Sequence, residues 1–105
     1  MELQPQVIEE LVQKIVKAVQ PQRIILFGSA ARGEFGSAGD IDLLIIMPEG
    51  THRRRTAQKL YRQIRGIQAP FDILVATTRD IQRHKDNIGL IYRTVLKEGK
   101  ELYAS

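Results

Sequence analysis

Three short apolar runs decide most of what this chain can fold into. They are RIILF at 23–27, DIDLLIIM at 40–47 and FDILVA at 71–76. Each is too short for a buried helix, and each meets a breaker: Pro21 and Gly28 flank the first, Pro48 follows the second and Pro70 precedes the third. Short runs rich in Ile and Val read as strands. Ahead of them, Val7, Ile8, Leu11, Val12, Ile15, Val16 and Val19 recur at helical spacing behind Pro5. Glu9 and Glu10 early and Lys14 and Lys17 later suit the dipole of that helix. Thr51 is a candidate cap for a second helix reaching Gly66, with Ala57, Leu60, Tyr61, Ile64 and Ile67 on one face. Thr77 or Thr78 can cap a third helical stretch, continued by Ile81, Ile88, Ile91, Tyr92, Val95 and Leu96 with a break near Asn87–Gly89. Gly99 is a candidate stop, and the ELY that follows can add a short edge strand.

The order is helix, strand, loop, strand, helix, strand, helix, with a final strand. It predicts an α+β fold: a mixed sheet of three to four strands with helices packed mainly on one face. A loop without a long helix joins the first two strands, which favours an antiparallel pair. A helix separates the second and third, which permits a parallel crossover.

At 105 residues the chain is read as a single domain over 1–105. That leaves no room for separate substrate and cofactor domains. The absence of cysteine excludes disulfide scaffolds, thiolate zinc sites and cysteine nucleophiles. No apolar run approaches a membrane span, and the polar, acidic start is the opposite of a signal peptide, so the cytoplasm is the expected compartment. The net charge is +4, and its distribution is uneven. Arg53, Arg54, Arg55, Lys59, Arg62 and Arg65 fall in a stretch, 51–70, that holds no acid. Asp40, Asp42 and Asp72 lie instead inside strand-like runs, where an unpaired carboxylate is costly and so needs a reason.

The reason lies in their arrangement. Gly28-Ser29 is followed by ten residues and then by Asp40-Ile41-Asp42. Strand side chains alternate, so Asp40 and Asp42 share a face while Ile41 points into the core. Two carboxylates there suit a hard cation such as magnesium, which takes one or two carboxylates together with substrate phosphates. Asp72 joins them if its strand lies beside theirs. Gly28 at a strand end lets backbone approach a phosphate, and Ser29 adds a hydroxyl. A short helical turn at Ala30–Arg32 would add further N–H groups. Carboxylates opposite a phosphate-binding turn describe a phosphoryl- or nucleotidyl-transfer site.

GSAARGEFGSAGDIDLL resembles the GSxARGxxxxxSDxDL signature of the minimal nucleotidyltransferases of the DNA-polymerase-beta superfamily. Gly28, Ser29, Ala31, Arg32, Gly33, Asp40, Asp42 and Leu43 match, and Gly39 stands where the family commonly has Ser. Asp72 in FDILV matches the third carboxylate by context, and KEGKELY resembles the family's closing segment. The resemblance spans about 24–103. It implies an Mg²⁺-dependent enzyme with Asp40, Asp42 and Asp72 as catalytic residues on two metal ions. Asp72 would serve the attacking hydroxyl, and Gly28, Ser29 and Arg32 would bind nucleotide. It also implies ATP as donor. Stand-alone members resemble antitoxins that pair with a helical HEPN-domain toxin and transfer AMP to a toxin tyrosine.

Two other functions fit the same residues. A non-catalytic, nucleotide-binding antitoxin or scaffold would neutralise its partner by contact. An RNA-binding protein would use the basic face at 51–65, although aromatic residues for base stacking are few. Arg32 fits phosphate contact and loop support equally. The Arg53–Arg55 run reads first as a solvated helix start, His52 and His84 as surface residues, and Tyr61, Tyr92 and Tyr103 as packing. No P-loop signature is present.

Overall fold

The computed structural model describes residues 5–28, 41–64, 66, 71–83, 95 and 97–105. In chain order these form α1 (Pro5–Val19), β1 (Arg23–Phe27), β2 (Ile41–Met47), α2 (Arg53–Gln63), β3 (Phe71–Thr77), α3 (Thr78–Arg83) and β4 (Lys100–Ala104). The strands make one sheet in the order β3-β2-β1-β4. β1 is antiparallel to both β2 and β4, and β2 and β3 are parallel. The parallel pair is joined through α2, because a parallel return needs a crossover longer than a tight turn. This is the α+β fold with a mixed sheet that the sequence predicts, including the final edge strand.

Both faces of the sheet are covered. On one, Leu11 and Ile15 of α1 and Leu60 of α2, followed by Ile64, pack against Ile24, Leu26, Ile41, Leu43, Ile45, Met47 and Val75. On the other, Ile25, Leu44, Ile46, Ala76 and Val95 form a smaller cluster, flanked by Phe27, Leu74 and Ile81 of α3. The two long helices share the first face, as expected. β2 is buried on both sides, which explains the unbroken LLIIM where a half-exposed strand would alternate. Each fully buried Leu or Ile contributes about 1.5–3 kcal/mol, so β2 is the most firmly held strand of the sheet. Gly99 lies against β1: a Cβ there would come within 2.6 Å of Ile25 Cγ2 and 3.0 Å of the Leu26 carbonyl. Its N–H donates to the Val95 carbonyl at 2.7 Å, consistent with a helix stop.

Helix ends differ from expectation at three points. α2 is capped by His52, whose Nδ1 accepts from the Arg55 N–H at 3.2 Å, and not by Thr51. The imidazole nitrogen offers the same acceptor as a hydroxyl, one residue nearer the helix. The helix ends at Gln63, where Ile64 turns extended to reach the core, rather than running to Gly66. The first turn of α1 holds no acid, so Glu9 and Glu10 begin one turn too late for the dipole argument. Thr77 does cap α3. The Asp80 N–H donates to its Oγ1 at 3.1 Å, and the Thr77 N–H donates back to Asp80 Oδ2 at 2.9 Å, a reciprocal box. The stretch expected to break near Asn87–Gly89 lies outside the described residues.

Candidate active site

The site is built around the second residue of β2. Asp42 follows buried Ile41 and precedes buried Leu43, so alternation turns its side chain to the opposite face from theirs. Its register neighbours are Phe27 on β1 and Asp72 on β3. Adjacent strands lie about 4.8 Å apart, and partners in register point the same way, so Asp42 and Asp72 form a carboxylate pair across the parallel ladder. The adjacency that sequence could state only as a condition is present. Asp42 is half-buried and Asp72 is exposed.

Gly28 closes the β1 side. Its φ of +74° is a left-handed conformation that side chains disfavour. A Cβ at Gly28 would overlap the Asp42 carboxylate, with Cγ only 3.3 Å away. The missing side chain therefore serves two ends. It allows the turn out of β1, and it leaves space in which the carboxylate sits against backbone. Ser29, Arg32 and Asp40, together with the turn expected at Ala30–Arg32, lie outside the described residues.

The outer side of Asp72 is a sheet edge. There α2 supplies Tyr61, which is 46% exposed. Its ring stacks on Phe71 with centroids 5.6 Å apart and planes 12° from parallel. Its hydroxyl accepts the Ile73 N–H at 2.9 Å. Reading Tyr61 as a packing residue thus captures the ring and misses the hydroxyl. No local sequence signal marks that contact, because it depends on how far α2 runs beside β3.

Further along the same edge, Thr51, His52, Arg53, Arg54, Leu74 and Val75 line an open hollow of about 460 Å³. Arg53 Nε approaches Asp80 Oδ2 at 3.6 Å. Arg54 and Arg55 are exposed and have no ion-pair partner among the described residues.

The donor set fits a hard divalent cation in kind: charged oxygens on rigid strands, side by side. Among the described residues no group of three His, Cys, Asp or Glu side chains gathers at one point. Asp42 and Asp72 are a pair, and Asp40 is the expected third member. No helix among the described residues is long and apolar enough to cross a membrane.

The sequence profile of the nucleotidyltransferase domain matches residues 7–102. No curated protein matches the chain. Among solved structures, the chain is similar to a protein of Sulfolobus solfataricus described as a nucleotidyltransferase. That likeness has 20% identity and a TM-score of 0.63, and covers 94% of this chain and 78% of the other. It is similar also to the MntA–HpeT toxin–antitoxin in a variant with two aspartates, spaced as Asp40 and Asp42 are here, replaced by glutamate. In that case the identity is 19% and the TM-score 0.57, over 98% of this chain and 75% of that one. A toxin–antitoxin solved with AMP-PNP gives 22% and 0.56, with coverages of 98% and 75%. Likenesses this distant speak for the fold, and the profile match over nearly the whole chain speaks for the family. With the profile matched over nearly its whole length, the chain, whose mixed sheet sets a carboxylate pair beside a glycine turn, belongs to the nucleotidyltransferase domain family.

Proposed function

We propose that this chain transfers AMP from ATP to a hydroxyl, and that the acceptor is a tyrosine on a helical HEPN-domain toxin for which the chain is the antitoxin. The observation that carries the chemistry is the register of Asp42 against Asp72, with Gly28 pressed against Asp42 on the far side. The toxin–antitoxin structures that share the fold support the choice of acceptor, and the AMP-PNP in one of them supports a nucleoside triphosphate donor.

In this reading Asp40, Asp42 and Asp72 hold magnesium, with two ions expected. Bound there, the metal neutralises the triphosphate and lowers the pKa of the acceptor hydroxyl. Asp42, anchored in the central strand, faces the nucleotide side, where Gly28 and Ser29 bring backbone and hydroxyl to the β and γ phosphates and Arg32 adds charge. Asp72 faces the acceptor and takes part in removing its proton. The acceptor oxygen bonds to the α-phosphorus as the bond to the bridging oxygen breaks, and pyrophosphate leaves. No covalent enzyme intermediate is required. Positioning and charge supply the rate.

The chain is mixed with Mg²⁺, ATP and the helical toxin encoded beside it, and the toxin's intact mass is measured. The expected result is a gain of one or more AMP units, with little transfer to free sugars or short RNA. Asp72→Ala should keep most of the Mg·ATP affinity by calorimetry and lose transfer. An unmodified toxin that is nonetheless neutralised would replace catalysis by contact. Efficient transfer to RNA or a small molecule would remove the protein acceptor.

A further inference from the structure

The geometry points to Tyr61 as a positioning residue for Asp72, an inference that rests on the transfer role proposed for that carboxylate. Among the described residues β3 is an edge strand: β2 pairs with one side of it, and no described strand pairs with the other. Asp42 has strands on both sides, whereas Asp72 has one. Edge strands expose backbone N–H groups to water and fluctuate more than central ones. Asp72 is moreover the second residue of its strand, close to the fraying end, and is itself exposed. A carboxylate that must meet a hydroxyl and a metal within a fraction of an ångström is poorly served by such a place, unless something else holds it.

Tyr61 holds the residue before it and the residue after it. The ring stacks on Phe71, and the hydroxyl accepts the N–H of Ile73. Phe71 and Ile73 face away from Asp72 and toward the α2 side, packing against the main core. One side chain of α2 therefore fixes both flanks of Asp72 without occupying its face. The outward-pointing Ile73 N–H donates to a neutral hydroxyl where a neighbouring strand would otherwise supply a carbonyl acceptor. Stack and hydrogen bond act on different atoms, so they can be removed separately. Tyr61→Phe deletes the hydroxyl and keeps the ring, and Phe71→Leu deletes the stack and keeps the hydroxyl.

The test has a readout that needs no activity. In the metal-free, full-length chain, amide hydrogen exchange at Ile73 is compared between wild type and Tyr61→Phe, with circular dichroism and the thermal midpoint confirming the fold. Transfer and ATP affinity are then measured with magnesium. The expected result is faster exchange at Ile73 in Tyr61→Phe, with the kcat of transfer lower by about tenfold, as for other residues that orient a ligand. ATP affinity and the midpoint should stay near wild type, and Phe71→Leu should lower kcat in the same direction. Unchanged Ile73 exchange with unchanged kcat overturns the assignment while leaving the transferase reading intact. A parallel fall in kcat, ATP affinity and midpoint also overturns it, since that is the behaviour of a merely structural residue. If the wild type transfers nothing but Tyr61→Phe still releases Ile73, the clamp is supported and the proposed reaction fails.

Discussion

Asp42 and Asp72 are partners in register, yet the molecule holds them by different means. Asp42 sits in a strand buried on both faces, between β1 and β3, with Gly28 backbone against its carboxylate. Its position is a by-product of core packing. Asp72 lies at an open edge, near a strand end, with its flanks tied to a helix by one tyrosine. The contrast separates two duties. In the proposed reaction, the carboxylate that stays fixed on the nucleotide side is built into the core, whereas the one proposed to meet the acceptor is left at a border where that group can arrive.

The largest effect expected from this contrast is at the central position. Asp42→Asn keeps the shape and removes the charge, and transfer should fall by about a hundredfold or more, as when one preorganised charge partner is lost from a reacting centre. Unlike Asp72→Ala, it should weaken Mg·ATP binding as well, because the proposed reaction sets Asp42 on the nucleotide side. Calorimetry and a transfer assay, run on both variants, read the difference directly. Equal loss of ATP affinity in the two proteins would erase the division of duties, and full activity in Asp42→Asn would remove the carboxylate site altogether.

Gly28→Ala attacks the same carboxylate from the β1 side. The left-handed φ alone costs about 1–2 kcal/mol for a residue with a Cβ. The new methyl group must also displace the Asp42 carboxylate. A lowered urea midpoint is therefore expected, together with a fall in transfer that Asp72 cannot compensate. A midpoint equal to wild type would mean that the turn relaxes freely, and that Gly28 leaves room only for backbone and not for Asp42.

The same contrast marks what the sequence could reveal. β2 is legible because burial on both faces leaves a continuous apolar run, and any acid interrupting such a run stands out. Ile41 between Asp40 and Asp42 fixes the face of Asp42 by alternation alone. The helix between β2 and β3 permits a parallel pair, but their adjacency and register, and with them the Asp42–Asp72 pair, arise in tertiary packing and are written in neither strand. Tyr61 is visible as a face residue of a helix, while its hydrogen bond to Ile73 depends on tertiary placement. His52 as a cap was missed because Thr51, a stronger cap by propensity, stands one residue earlier, and the turn out of Pro48 leaves Thr51 outside the helix. Gly28 is legible as a point of close approach at a strand end, while the fit of the Asp42 carboxylate into the space beside it depends on the β1–β2 pairing.

The smallest effect should come from the basic start of α2, and it concerns the edge where a partner would arrive. Arg53 faces Asp80 at 3.6 Å, whereas Arg54 and Arg55 have no ion pair among the described residues. Arg54 lines the hollow shared with Leu74, which lies two residues beyond Asp72 on the same face of β3. One strand residue advances about 3.3 Å, so this patch is some 7 Å or more along the edge from the carboxylate. That is too far to touch reacting atoms and near enough to orient a protein that presents a tyrosine to them. Charges at a rim mainly raise association rates, and salt screens them over about 10 Å at moderate ionic strength. Arg54→Glu with Arg55→Glu should thus slow association with an acidic toxin surface by about tenfold at low salt and much less at high salt. ATP affinity and transfer at saturating toxin should remain unchanged. Stopped-flow association across a salt series measures this. A rate insensitive to both salt and the two substitutions would move the docking face away from α2, while leaving the difference between the two carboxylates as it stands.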